Sequence, residues 1–180
     1  MFASLLPFPA MAQESGPGDC APVVQALQAL GSAPRYHWTM SATTPARRRP
    51  LEHEEIVVGD EVYLTPDNGR WAKTRVTLPE RVARMAGELA RNPVVDCHVA
   101  GTEVKDGVAT QVYTYRQGAA AAQANPDAVP KAGLDPEAKP GLKRIWIGAE
   151  DGLPHFFSSS EGPVSVAMHV EYNNVASPLP

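Results

Sequence analysis

From Gly141 onward the chain alternates short β-forming runs with turn signals, and nothing else in it constrains the fold as strongly. LKRIWIGAE is followed by Asp151-Gly152, then LPHFFSSS, then Glu161-Gly162-Pro163, then VSVAMHVEYNNV. Glycine has no Cβ and enters the left-handed region freely, and aspartate tolerates it, so Asp-Gly suits a tight hairpin. The pattern predicts three antiparallel strands in a meander.

The same logic reads the rest of the chain. RYHWTMSAT, from Arg35 to Thr43, alternates with Tyr36, Trp38, Met40 and Ala42 on one face and His37, Thr39 and Ser41 on the other. Strands are expected at 51–58, 61–65 and 70–77, parted by Gly59-Asp60 and Asp67-Asn68-Gly69. Two more, at 94–104 and 108–116, meet at Lys105-Asp106-Gly107. Two amphipathic helices interrupt the strands. Asp19 is placed to cap the first, with Val23, Ala26, Leu27 and Leu30 as its apolar stripe and Gly31 as its end. Thr77, Pro79 and Glu80 form a capping box that starts the second. That helix runs to about Arg91, where Asn92-Pro93 stops it. Its expected buried stripe is Val82, Met85, Ala86 and Leu89, with Arg81, Arg84 and Glu88 in solvent. About nine antiparallel strands with two such helices make an α+β domain, one strongly curved sheet with helices over one face.

The chain divides into a residual export signal at 1–12, a flexible leader at 13–19, a single domain at 20–175 and a tail at 176–180. The signal rests on the apolar run from Phe2 to Pro9 and on Ala10-Met11-Ala12, which places small residues at the cleavage positions. Residues 117–141, rich in Ala, Pro, Asp and Gly, form one long loop, read as an insertion more readily than as a flap. No run has the ~20 apolar residues of a membrane span.

Charge and chemistry exclude more than they assign. With 16 basic and 20 acidic residues, and Arg47-Arg48-Arg49 read as a solvated hairpin tip, no basic face for nucleic acid exists. The five histidines show no ligand spacing, and no Cys-x-x-Cys, His-Glu-x-x-His, Gly-x-Ser-x-Gly or phosphate-cradling loop occurs. Glu54, Glu55, Asp60 and Glu61 read as solvated charges around a hairpin. No catalytic residue, metal or cofactor is therefore assigned. In an exported chain the two cysteines, Cys20 and Cys97, favour a disulfide over a pair of buried thiols. It would close a loop of about 78 residues, worth about 4 kcal/mol in the chain-entropy model.

Several stretches together resemble the periplasmic lipoprotein-carrier superfamily of LolA and LolB. They are the hairpin Glu55-Ile56-Val57-Val58-Gly59-Asp60-Glu61-Val62-Tyr63, then Gly69-Arg70-Trp71-Ala72-Lys73, then the Pro-started helix. Ile145-Trp146-Ile147, Asp151-Gly152-Leu153-Pro154 and a last strand closing on Tyr172 complete the pattern, which covers about residues 20 to 175. The resemblance implies an incomplete β-barrel whose helices lie over an apolar cavity on its concave face. It also implies an acyl chain or another hydrophobic ligand. The long loop and the two cysteines depart from the lipoprotein carriers, and none of their contact residues is carried over. Trp38, Met40, Trp71, Met85, Trp146, Phe157 and Met168 lie on faces that could turn inward. They are the candidates to line a cavity, or else to fill a core. The expectation is an exported, non-enzymatic protein, periplasmic or secreted, that binds a hydrophobic small molecule or lipid. The alternatives are an envelope module that holds a partner protein, and a hydrolase or metal-dependent enzyme.

Overall fold

The computed structural model describes residues 19–65, 69–118 and 141–179. The expected export signal, nearly all of the expected leader and the body of the 117–141 segment lie outside them. The described chain runs α1 (Ala21–Ser32), β1 (Arg35–Thr43), β2 (Leu51–Val58), β3 (Glu61–Leu64), β4 (Ala72–Arg75), α2 (Leu78–Arg91), β5 (Val94–Lys105), β6 (Val108–Gln117), β7 (Leu142–Gly148), β8 (Pro154–Glu161) and β9 (Val164–Glu171). All nine strands join one antiparallel sheet in the order β4-β3-β2-β1-β9-β8-β7-β6-β5. β4 and β5 stay unpaired at the two ends, so the curved sheet does not close into a barrel. This is the α+β half-barrel expected. No helix among the described residues is long and apolar enough to cross a membrane.

The β1–β9 ladder joins the two halves, setting Met40 against Met168 and Trp38 against Val170. Directly paired residues share a face. The helix-covered face therefore collects Tyr36, Trp38, Val57, Val62, Tyr113, Ile145, Phe157 and Met168. Val23, Ala26 and Leu27 of α1 pack there against Cys97, Tyr113, Tyr115 and Ile145. The disulfide is formed. Cys20 and Cys97 bond with Cα atoms 5.2 Å apart, tying the start of α1 to the edge strand β5. A register shift between Val95 and His98, with Asp96 at φ 52°, accompanies the turn of Cys97 toward the helix.

Three local expectations need correction. First, the cap of α1 is Cys20, which makes no side-chain capping bond. Asp19 stands one residue earlier and accepts the Ala21 N–H at 2.9 Å. Second, Gly31 does not end α1, which continues to Ser32. Its role is closeness: a Cβ there would meet the Met85 Cβ of α2 at 2.8 Å. A backbone-anchored Cβ cannot swing aside, so the helices would have to part. Gly31→Ala should therefore lower stability by about 1–2 kcal/mol, although alanine favours a helix by about 1 kcal/mol. Chemical denaturation checks this, and a gain in stability would mean the helices separate freely.

Third, α2 is rotated from its apolar stripe. Its capping box forms, with the Thr77 N–H donating to Glu80 Oε2 at 2.7 Å and the Glu80 N–H to Thr77 Oγ1 at 3.4 Å. Beyond it, Arg81 is only 7% exposed whereas Val82 is 43% exposed. The Arg81 guanidinium donates to the carbonyls of Ala33, at 2.8 Å, and Gly59, at 3.2 Å. Those acceptors lie just past α1 and in the β2–β3 turn. The buried carbonyl of Ala33 must find a donor, and that demand outranks one exposed valine. Glu55 is likewise not a solvated turn charge. The β1–β2 register puts it opposite Trp38, where it accepts the Tyr36 hydroxyl at 2.6 Å.

Candidate functional site

The helices do not seal the sheet. Two cavities of about 270 and about 310 Å³ lie between them, and both are lined by Leu30, Met85, Glu88 and Met168. The first reaches toward β6 and β8 over Leu27, Tyr115, Phe157 and Val166. Its rim is polar, and Lys143 Nζ donates there to Gln117 Oε1 at 2.9 Å. Burial alone pushes the Tyr115 hydroxyl up to about 12.

The second cavity reaches toward β1 and β3 over Tyr36, Trp38, Val62 and Val76, and adds Glu55, Arg81 and Arg84. Burial, and then the adjacent Glu55 carboxylate, hold the Tyr36 hydroxyl far above its ordinary range. Tyr36 is thus a fixed donor to Glu55. The two cavities adjoin at their shared lining and together are the groove, the first mainly apolar and the second charged toward the Arg81 end.

The structure brings four of the seven candidate residues together on this groove: Trp38, Met85, Phe157 and Met168. Met40 pairs with Met168 but lines a separate hollow with His53, Phe156 and His169. Trp71 and Trp146 sit on the opposite face of the sheet. Trp71 packs with Ile56 and Tyr63. Trp146 meets Phe156 edge-on at 5.0 Å and donates its Nε1–H to Glu103 at 2.8 Å. Their faces follow from strand parity: Trp146 pairs with Phe156, one residue out of step with the covered Ile145–Phe157 pair.

Tyr115, Tyr36, Glu55 and Arg81 are site residues that the sequence reading did not select. Tyr115 shares parity with the buried Tyr113 and was open to that inference. Arg81 carries no such signal. Among the described residues no group of three or more His, Cys, Asp or Glu could hold a metal ion. His155 and His169 are each engaged by a different carboxylate, Asp151 at 2.9 Å and Asp106 at 3.5 Å.

No protein-family model matches the chain, and no curated protein matches it in sequence. Solved structures do. The Mycobacterium tuberculosis lipoprotein LppX is similar over 87% of this chain and 96% of its own, at TM-score 0.51 and 17% identity. LprF from Mycobacterium bovis is similar over 92% and 97%, at TM-score 0.45 and 10% identity. A LolA superfamily protein from Nitrosomonas europaea is similar over 83% and 90%, at TM-score 0.27 and 6% identity. The last two likenesses are too slight to carry an argument, and at 17% identity the first speaks for the fold alone. The fold is thus similar to that of LppX, an open nine-stranded antiparallel sheet with two helices, as the strand pattern of the sequence predicted.

Proposed function

We propose that this protein is a non-enzymatic carrier that binds a hydrophobic ligand or lipid moiety in the groove between its helices and its sheet. The supporting observation is that two cavities under the helices share Leu30, Met85 and Met168 in their linings. Each is near the lower end of the ~300–1,000 Å³ typical of ligand pockets. Two small adjoining cavities suit an extended alkyl chain better than a bulky ring system. Methionine at the junction adapts to chains of differing length and unsaturation. A periplasmic or secreted location belongs to the same proposal. It rests on the apolar Phe2–Pro9 run with Ala10-Met11-Ala12, and on a disulfide of the kind oxidising compartments preserve.

Native mass spectrometry of mildly purified protein, before and after organic extraction, tests the reading. An extractable adduct of lipid-like mass is the expected result. A bare mass that takes up no added palmitate would overturn it and leave the envelope-module alternative. The docking surface of such a module would include Leu78 and Val82, which α2 leaves exposed.

A further inference from the structure

Among the described residues one buried side-chain atom lacks any hydrogen-bond partner, and it is Arg81 Nε. The other guanidinium nitrogens hold Ala33 and Gly59, so the Nε–H remains as an unpaired donor within a residue that lines the second cavity. Native proteins rarely leave such a donor buried without a water, ion or ligand. Arg84 lines the same cavity and makes no hydrogen bond or ion pair among the described residues. The acceptors nearby are already engaged, the Tyr36 hydroxyl included, which lies beside the Arg81 guanidinium and donates to Glu55. Glu88 binds Asn92 at 2.7 Å and Arg91 at 3.1 Å, and Glu55 takes the Tyr36 hydroxyl at 2.6 Å. Arg84 also faces the Glu80 carboxylate outside the cavity; within the lining, with Glu88 matched to Arg91, Arg81 and Arg84 face the single carboxylate of Glu55.

We infer that this end of the groove holds the monoanionic, oxygen-bearing head of an amphiphile, with its chain lying past Leu30, Met85 and Met168 toward Phe157. The inference rests on the carrier reading and sharpens it from an apolar ligand to an anionic one. A carboxylate or a phosphodiester supplies the acceptor oxygen that Arg81 Nε lacks. Arg84, more exposed, supplies charge. Charge-assisted hydrogen bonds of this kind are the strong ones, more so where water is excluded.

The experiment compares three ligands of equal chain length on the full chain: palmitate, palmitoyl-lysophosphatidylglycerol and uncharged monopalmitoylglycerol. Affinities are read by titration calorimetry. At least one anion should bind about tenfold more tightly than the neutral glyceride. Which anion does so separates a free fatty acid from a phospholipid as the source. Arg84→Gln should narrow the anion-to-neutral ratio severalfold, and so should Arg81→Lys in a variant that remains folded by circular dichroism. Equal affinity for all three ligands would overturn the head-group assignment and leave the carrier reading standing. Binding of none would overturn both. Arg84 does not clamp the fold, so its variant decides the matter even if Arg81→Lys unfolds.

Discussion

Replacing Cys20 and Cys97 together by alanine is expected to lower stability by about 4 kcal/mol, with a fall of roughly 10 °C in the unfolding midpoint. The bridge joins residues 77 apart, so cutting it frees a long segment of the unfolded chain. The native state loses an anchor as well. α1 has 12 residues, too few to hold a helix in water unaided, and its buried contacts are mainly Val23, Ala26 and Leu27. Its disulfide fixes the first turn and the Arg81 clamp its end, so the bridge-free protein should lose α1, and with it a wall of the groove, before the sheet melts. Reductant should shift the unfolding curve of the parent protein to that of the double variant and leave the variant's own curve unmoved. A loss below 1 kcal/mol would mean the helix docks on packing alone.

Arg81→Met should cost about 3 kcal/mol. The change removes two hydrogen bonds from a charged donor and leaves the buried carbonyl of Ala33 without its partner, while that of Gly59 turns to water. Methionine restores most of the apolar contact of the arginine stem, so the loss isolates the polar clamp. Arg81→Lys should recover only part of it, because an ammonium lacks the planar fork that reaches two acceptors at once. A local readout exists. The Gly59 N–H donates to Pro34 O at 2.9 Å in the same cluster, and its hydrogen-exchange protection should fall further than that of the distant β7–β8 ladder. Equal protection in both places would assign the loss to general destabilisation. Equal stability of parent and variant would remove the clamp altogether.

These two sites mark what could and could not be read from the chain. The strands were legible because turn residues punctuate them: Gly59, Gly107, Gly152 and Gly162 all adopt positive φ, between 54° and 83°, where turn chemistry placed them. The Thr77–Glu80 box was legible because both of its bonds lie within four residues. The rotation of α2 was not, because the carbonyls that draw Arg81 inward belong to residues 48 and 22 positions away. Gly31 misled for a related reason. A glycine near a helix end is as consistent with a cap as with a close approach, and only the arrival of Met85 tells them apart. Four of the seven aromatic and methionine candidates line the groove. Trp71 and Trp146 were apolar for a different layer, since period-two alternation identifies two faces without saying which one the helices cover.

The open ends of the sheet have a consequence for the molecule among its own copies. A half-barrel that stays open does not protect its edges by closing, and a bare edge is a template for another chain. One end, β4, is four exposed residues long and carries Lys73 and Arg75. The other, β5, is 12 residues long, but its register breaks between Val95 and His98 and again between Val99 and Gly101. Its longest unbroken pairing is the five residues from Gly101 to Lys105. A tenth strand arriving from a neighbouring molecule would find only that five-residue stretch straight enough to seat on, less than half of the strand. The irregularity beside Cys97 thus also shortens the edge open to such pairing.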